Sequence, residues 1–287
     1  MADNLSLEEA HKRFLAFLKE NRRANATILA YGKDIEQLTT FLTAQGKKDI
    51  VEITRQDLEA FLDKIRKEGY TLKSVSRKLN SLKTFYRFLR GANLIAEDPS
   101  LLIAHPKYEV KPPRILSRME YRALRDACRD DIRISAVVEL LLQTGMRIGE
   151  LANLELEDVK GNELYIKPYE SHEGRTVPLN KAAKQALDRY LTARPKGSNN
   201  TLFVTKTGRP LLIRNIRTAI DRYFRLAGIK DAKVNDLRHT FIAQHLIAGT
   251  PLTTISKLVG HKRLSTTEKY LDLIKEKGEE SVKLEEL

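Results

Sequence analysis

The residues best suited to chemistry lie close together near the C-terminal end of the chain. The sequence reads N-D-L-R-H-T from Asn235, V-G-H up to His261, and T-T-E-K-Y up to Tyr270. Arginine binds phosphate oxygens through a planar fork of N–H donors, histidine can bond a phosphate, and tyrosine can act as a nucleophile. Arg238, His261 and Tyr270 therefore provide the groups needed to attack a phosphodiester.

Asn235 and Arg238 are three residues apart at a predicted helix start, so their side chains share one face. The positive end of the helix also favours an anion at this face. An N-capping role would explain Asn235 or Asp236 equally well. Apolar residues, including Phe241 and Ile242, follow Arg238, which indicates that this arginine points towards the interior.

Arg147 lies upstream, at a turn between two predicted apolar helices, two residues after Gly145. A buried guanidinium without a partner is costly, so Arg147 either pairs with a carboxylate such as Glu150 or binds an anionic ligand. Further along, strand-like alternation flanks a polar segment at 171–174 and predicts a hairpin in a small antiparallel sheet. Lys167 and Arg175, one in each strand region, could each reach a ligand or be exposed.

The composition indicates two domains and a polyanionic partner. The chain has 287 residues, of which 41% are hydrophobic, and a formal net charge of +13. Residues 106–270 hold 30 Lys and Arg against 18 Asp and Glu, so the positive charge is concentrated around the cluster. Nucleic acid is the expected partner, although charge alone leaves the question open because many soluble proteins are basic.

The single cysteine, Cys128, excludes an internal disulfide and a cysteine-based zinc site within one chain. The N-terminal segment lacks an apolar signal core, and no apolar run approaches the ~18 residues that span a bilayer. We therefore expect a cytoplasmic protein without membrane contact.

Residues 1–105 are predicted to form a helical domain. Ser6 with Glu9, and Thr54 with Asp57, are typical helix starts. The fourth predicted helix, after Gly69, is apolar on one face and basic on the other. Its candidate DNA-binding residues are Lys73, Arg77, Lys78, Lys83 and Arg87. A solvated charged face explains this pattern as well as DNA binding does.

A proline-rich segment separates this domain from the next, and residues 106–114 are predicted to be a linker. Lys107 and Lys111 could contact a phosphate backbone there or simply be solvated. Residues 115–287 form the second predicted domain, with residues 271–287 as a C-terminal tail.

Four segments of the chain resemble the motifs of the tyrosine recombinases, which include Xer proteins, phage integrases and transposon resolvases. The matching segments are T-G-M-R-I-G-E-L-A-N-L, R-T-V-P-L, L-R-H-T-F and V-G-H-K-R-L-S-T-T-E-K-Y. They occur in the family's order and spacing, and the resemblance covers nearly the whole chain. It implies a mainly α fold with a small antiparallel β-sheet in the second domain. The two domains, a helical core-binding domain and a mixed α/β catalytic domain, would form a C-shaped clamp.

The resemblance also implies an activity, site-specific recombination of double-stranded DNA without a metal or cofactor. Tyr270 would attack the scissile phosphate and leave a 3′-phosphotyrosine and a free 5′-hydroxyl. Arg147 and Arg238 would bind the nonbridging oxygens, and His261 would donate a further hydrogen bond.

The chain departs from the family at two positions. Asn235 stands where the family usually has histidine, and an amide can bond a phosphate oxygen but cannot transfer a proton at neutral pH. The family's catalytic lysine lies seven residues before the valine of V-P-L, where this chain has Glu170. Lys167 could serve as the general acid if the hairpin were longer, and His172 is a competing candidate.

The resemblance implies four protomers on paired DNA sites, with the tail docked on a neighbouring protomer, although a frayed helix end would explain the tail as well.

Two alternative functions are a DNA-binding architectural or regulatory protein with impaired cleavage, and a type IB topoisomerase-like enzyme. The lack of an additional N-terminal arm-binding domain favours an Xer or transposon resolvase type.

Overall fold

The computed structural model describes residues 5–196 and 199–279, and the chain divides into two compact units, Met1–Val110 and Lys111–Leu287. Helices dominate, and a three-stranded antiparallel sheet lies in the second unit. The predicted fold class, mainly α with a small antiparallel sheet, is confirmed. Among the described residues, no helix combines the length and the apolar character needed to cross a membrane.

The α-helices described in the first unit are α1 Leu7–Glu20, α2 Asn25–Ala44, α3 Arg55–Lys67 and α4 Leu72–Gly91. The helix starts follow from local side-chain bonds. Ser6 accepts a hydrogen bond from the backbone N–H of Glu9, and Thr54 forms a reciprocal capping box with Asp57. Each bond satisfies an N–H group that has no partner within the helix, as the sequence pattern predicts.

The core of this unit lies between α1, α2 and α4, where Phe14, Leu38 and Phe85 are buried. Phe14 and Phe85 meet edge to face, with ring centroids 5.2 Å apart. Such an aromatic pair stabilises the fold by about 1 kcal/mol beyond the contribution from burial of its apolar surface.

The structure corrects the prediction that Lys78 contacts DNA. Lys78 is only 3% exposed, and its ammonium donates to Asp34 at 2.7 Å and to Gln37 at 2.5 Å. Asp34 is itself buried and also accepts hydrogen bonds from Arg77 and Ser81. Because α2 supplies the carboxylate and α4 the cations, this ion pair joins two helices inside the unit.

The other predicted DNA-binding residues of α4 are more accessible. Lys73 and Arg87 are exposed, and Arg77 is exposed although its guanidinium forms two bonds to Asp34. Lys83 is half-buried and donates to the carbonyl of Leu101 at 3.3 Å. Beyond α4, Lys107 and Lys111 are exposed in the irregular segment between residues 103 and 117.

The helices described in the second unit are α5 Arg118–Ala127, α6 Ile132–Thr144, α7 Ile148–Ala152, α8 Lys181–Ala193, α9 Ile213–Leu226, α10 Val234–Ile247, α11 Leu252–Val259 and α12 Ser265–Glu279. The strands are β1 Val159–Lys160, β2 Glu163–Ile166 and β3 Arg175–Pro178, which pair in the order β1-β2-β3. Leu164 lies opposite Val177, and both side chains are buried.

Helix α6 is the centre of this unit because it packs against α8, α9 and α10. It is buried almost all round, which explains why its sequence is a nearly continuous apolar run. The helix ends at Gly145, which has a φ of 60°. A Cβ atom at this position would lie 2.4 Å from the ring of Phe241, so glycine allows both the turn and the close contact with α10.

Replacing Asp34 by asparagine should destabilise the first unit, because the buried ammonium of Lys78 would lose its counter-charge. Removing one partner of a buried ion pair costs about 3–5 kcal/mol. Urea unfolding of the full chain, with hydrogen exchange of the α2 and α4 amides, measures the loss. The matched control is Glu36→Gln, which removes an exposed pair with Lys33 on the same helix and should cost at most about 1 kcal/mol. Equal losses from the two variants would contradict this prediction.

Candidate active site

The site centres on Arg238, which projects from the second turn of α10 into the interior and is 7% exposed. Its two terminal nitrogens donate to the carbonyls of Gly145 at 2.6 Å and Val259 at 2.7 Å. Burial, together with the positive charge of Arg147, lowers the pKa of Arg238 to about 9. The guanidinium therefore stays charged at neutral pH, and an anion beside it would be stabilised.

Arg147 occupies the N-cap position of α7, immediately after the turn that ends α6. Its guanidinium donates to Glu150 at 2.9 Å and to the carbonyl of Gly260 at 3.2 Å. The sequence left an ion pair with Glu150 and a ligand-binding role open. The structure shows the ion pair, and the half-buried guanidinium also reaches the segment that carries His261.

Glu150 binds two arginines at once. Its side chain is fully buried, and Arg175 donates to both carboxylate oxygens, at 3.0 and 2.8 Å. Arg147 contributes its side chain and its backbone N–H, the latter at 2.8 Å. These hydrogen bonds and positive charges outweigh desolvation and lower the pKa of Glu150 to about 2. The carboxylate thus holds two cations side by side.

Sequence reasoning did not assign Arg175 to the site. Its Nε donates to the carbonyl of Leu258 at 2.6 Å, so it approaches α11 from the hairpin side. Its position next to the V-P-L segment, one of the family-like motifs, indicated that Arg175 could belong to the site. The sequence alone could not distinguish a buried arginine from an exposed one.

The C-terminal end of α11 is bound by all three arginines through the carbonyls of residues 258–260. These carbonyls have no partners within the helix, and cations at a helix C-terminus also oppose the negative end of its dipole. Gly260 follows with a φ of 65°, and a Cβ atom there would lie 2.9 Å from the guanidinium of Arg175. A glycine is therefore required where the chain turns towards His261.

His261 is positioned by Thr267, a buried residue in the first turn of α12. The Nδ1 atom of His261 and the hydroxyl of Thr267 are 2.7 Å apart. Burial, followed by the positive charges of Arg238, Arg147 and Arg175, lowers the pKa of His261 to about 4. The imidazole is therefore neutral at physiological pH.

Tyr270 lies on α12 and is 5% exposed, in a small apolar cluster with Phe241, Ile255 and Val259. Its hydroxyl lies 2.6 Å from Nδ1 of His239 on α10. Burial raises the pKa of Tyr270, while the positive charge of Arg238 opposes that rise. The sequence included His239 in the cluster but gave it no role.

Asn235 is exposed one turn before Arg238, and its side chain makes no hydrogen bond to another described residue. It is not the helix cap: α10 has Lys233 at that position, and Asp236 accepts the capping hydrogen bond from the backbone N–H of Lys233 at 2.8 Å. The N-capping explanation is therefore wrong for Asn235, whereas Asp236 takes part in capping from the third position of the helix.

The hairpin that follows β2 places Lys167 and His172 in different surroundings. The ammonium of Lys167 lies 2.5 Å from Glu155, 3.1 Å from Glu157 and 3.5 Å from Asp158. These carboxylates raise the pKa of Lys167, and no described contact joins it to the arginines. The structure thus does not bring Lys167 into the arginine cluster as the sequence hypothesis required.

His172 follows a tight turn at Glu170, whose φ is 53°, and it lines a cavity of about 570 Å³ with Arg175, His261 and Lys262. Its Nδ1 is buried without a hydrogen-bond partner among the described residues. Burial and the positive charges of Arg147, Lys262 and Arg238 lower the pKa of His172. Within the described residues, no group of three or more His, Cys, Asp or Glu residues is placed to hold a metal ion.

Replacing Glu150 by glutamine should destabilise the second unit, because Arg147 and Arg175 would repel each other without the shared carboxylate. The folded-state pKa of about 2 lies below the ordinary 4.5, so this carboxylate stabilises the fold above pH 4.5. That contribution is lost as the pH falls towards 2. Unfolding measured from pH 7 down to pH 2 should show a large difference in stability between the variant and the wild type at pH 7, and this difference should shrink below pH 4.5. Glu157→Gln, which alters an exposed carboxylate, is the control, and a pH-independent difference would contradict the expectation.

The comparisons with known proteins agree with this geometry. Residues 114–277 match the phage integrase family, and residues 12–93 match the phage integrase N-terminal SAM-like domain. The chain is 31% identical to the tyrosine recombinase XerC of Bacillus subtilis, with 92% of each chain covered. It is 34% identical to XerC of Lactobacillus delbrueckii, over 93% of this chain and 94% of the relative.

Solved structures give the same fold. A lambda integrase dimer bound to a core site has a TM-score of 0.78 at 17% identity, covering all of this chain and 81% of the other. XerA recombinase has a TM-score of 0.55 at 26% identity, covering 97% of this chain and 100% of that one. The chain belongs to the phage integrase family of tyrosine recombinases and is a site-specific DNA recombinase.

Proposed function

We propose that the three-arginine cluster holds the scissile phosphate and that Tyr270 is the nucleophile. The observation that carries this proposal is the position of Arg238, which is buried among the other cations and close enough to Tyr270 to oppose the rise in its pKa. A phosphate bound by Arg238 would therefore lie near the phenol. Positive surroundings also stabilise a phenolate as it forms.

The proposed chemistry exchanges one ester bond for another. The hydroxyl oxygen of Tyr270 attacks phosphorus, the bond from phosphorus to the 5′-oxygen breaks, and a 3′-phosphotyrosine and a 5′-hydroxyl result. Attack by the 5′-hydroxyl of a second strand reverses these changes and restores the tyrosine. The ester-bond energy is retained in the covalent intermediate, so rejoining requires no other energy source.

Other residues bind the phosphate in this proposal. Arg147 and Arg238 donate to the nonbridging oxygens, where negative charge grows in the transition state. His261 uses Nδ1 for Thr267, so its Nε2 is the nitrogen left to bond a phosphate oxygen. Asn235 contributes an amide hydrogen bond, since its exposed side chain shares a helix face with Arg238.

Replacing Tyr270 by phenylalanine should abolish the covalent adduct, because the nucleophilic oxygen is removed. The DNA substrates are duplexes that the protein selects by binding from a randomised pool. Each duplex carries a nick near the candidate cleavage point, so that the short cleaved fragment diffuses away and the strand cannot rejoin. Adducts are then counted on denaturing gels. The matched control is Tyr223→Phe, since Tyr223 is also buried and its hydroxyl also has a hydrogen-bond partner. An adduct formed by Tyr270→Phe at the wild-type level would refute the nucleophile assignment, and no adduct from the wild type would favour a binding-only protein.

We propose that His172, rather than Lys167, protonates the 5′-oxygen as it leaves. Lys167 lies among three carboxylates, whereas His172 lines a cavity with His261 and Lys262 and is influenced by Arg147 and Arg238. The surrounding cations lower the pKa of His172 in the free protein. A bound phosphate would offset their charge and favour the protonated form that a general acid needs.

A 5′-bridging phosphorothiolate duplex tests this assignment, because a thiolate leaves without being protonated. His172→Gln should lose about 10²–10⁴-fold in cleavage rate on the normal duplex and recover on the sulfur-containing one. Lys167→Gln and Lys262→Gln serve as comparisons, and neither should show such a recovery. A recovery confined to Lys167→Gln would identify Lys167 as the general acid, as the sequence hypothesis had it. A recovery confined to Lys262→Gln would identify Lys262 as the general acid.

We propose further that the chain acts as a tetramer on two DNA sites, in the manner of an Xer protein or transposon resolvase. A lambda integrase tetramer on a Holliday junction supports this, with a TM-score of 0.75 at 19% identity, covering 90% of this chain and 78% of that one. Exposed Lys73, Arg87, Lys107 and Lys111, with Arg77 and Lys83, would contact the DNA backbone. The tail, residues 271–287, would link protomers; its residues 280–287, including Val282, Leu284 and Leu287, lie outside the described residues.

A further inference from the structure

The proposed reaction leaves one proton without an acceptor. The hydroxyl of Tyr270 must lose its proton as the oxygen attacks phosphorus, and the pKa of this phenol is raised by burial. Asn235 cannot take the proton, because an amide is not a base at neutral pH. The arginines are donors only. An acceptor must therefore come from another part of the site.

His239 is in direct contact with the hydroxyl group that carries that proton. Its Nδ1 lies 2.6 Å from the hydroxyl oxygen of Tyr270, and the two ring centroids are 5.8 Å apart. The two residues come from different helices, α10 and α12, which pack against each other. Helix α10 therefore presents Arg238 towards the phosphate site and, one residue later, His239 towards the nucleophile.

The surroundings of His239 keep its imidazole neutral. Burial and the positive charge of Arg238 lower the pKa of His239 below its ordinary 6.5, against the opposing charge of Asp236. Beyond this helix, Tyr270 on α12 is in contact with it, and Arg114 and Lys233 lie near Asp236. A neutral imidazole with Nδ1 unprotonated accepts a hydrogen bond from the phenol, which is the arrangement a general base requires.

We infer that His239 is the general base of strand cleavage, the residue that accepts the proton of Tyr270 and returns it on rejoining. During cleavage the proton moves from the tyrosine oxygen to Nδ1 while the oxygen bonds to phosphorus. The 5′-oxygen leaves with a proton from the separate donor in the hairpin. During rejoining, His239 gives its proton back to the departing tyrosine oxygen. This inference rests on the proposed role of Tyr270 as nucleophile.

The test compares His239→Gln with His245→Gln in the nicked-duplex assay under single-turnover conditions. His245 is a matched control because it lies on the same helix, is partly buried, has a lowered pKa and bonds Thr250 rather than Tyr270. We expect His239→Gln to bind DNA normally and to cleave about 10²–10⁴-fold more slowly, as loss of general base catalysis predicts. His245→Gln should cleave at nearly the wild-type rate.

The pH profile separates a base from a residue that only positions the tyrosine. Wild-type cleavage should be level at neutral pH and fall in acid, below the lowered pKa of His239, because protonated His239 cannot accept the proton. In His239→Gln the level region above this decline should disappear, and the rate should instead climb about tenfold per pH unit through the neutral and alkaline range, because the phenolate fraction grows. A slower variant that keeps the wild-type profile would show a positioning role and overturn the inference.

The 5′-bridging phosphorothiolate duplex gives an independent readout. It removes the need to protonate the leaving group, so it should not restore cleavage by His239→Gln. Restoration would make His239 the acid and overturn the inference, as would a wild-type rate on the normal duplex. Exogenous imidazole added to His239→Ala should recover part of the rate if the variant is folded and binds DNA. If Tyr270 were not the nucleophile, Tyr270→Phe would still form the adduct. This outcome is different from a failure of His239 as the general base, so the two proposals are tested separately.

Discussion

The buried carboxylate of Glu150 is the interaction on which the rest of the catalytic unit depends. A phosphate site needs several cations close together, and without a ligand those cations repel one another. Glu150 offsets this repulsion between Arg147 and Arg175 and fixes both guanidinium groups by direct hydrogen bonds. Because Arg147 belongs to α7 and Arg175 to the hairpin, the same carboxylate also joins two parts of the chain that are far apart in sequence.

The arginines in turn determine the protonation of their neighbours. Burial of the site, together with their positive charge, lowers the pKa of His172 and His261, so both imidazoles are neutral before DNA binds. A phosphodiester linkage, which carries one negative charge, would reverse part of this effect if it lay among them. The site is thus organised so that the proton-donating form of a histidine becomes more favourable when the substrate is present.

Much of this arrangement could be predicted from the sequence, because the helix starts use local capping signals and the arginines lie in recognisable motifs. Ser6, Thr54 and Ser117 each cap a helix as their spacing predicts. The failures involve contacts between distant segments. Lys78 looked like an exposed base on an amphipathic helix, and only its partner Asp34, on another helix, places it inside.

The same reason explains the errors within the site. Nothing local to Lys167 reveals that three carboxylates surround it, because they precede β1 and approach it only when the sheet forms. Arg175 and His239 were visible as residue types, but their roles depend on Glu150 and Tyr270, which lie 25 and 31 residues away.

Arg238 illustrates how one side chain can serve structure and ligand binding at once. Each of its terminal nitrogens gives one N–H to a carbonyl, at Gly145 and at Val259. A guanidinium carries two N–H groups on each terminal nitrogen and another on Nε, so most of its donor capacity is left over. The described contacts therefore fix the plane of this guanidinium and leave N–H donors without a partner among the described residues. A phosphate would meet a side chain that is already oriented and has little rotamer entropy left to lose.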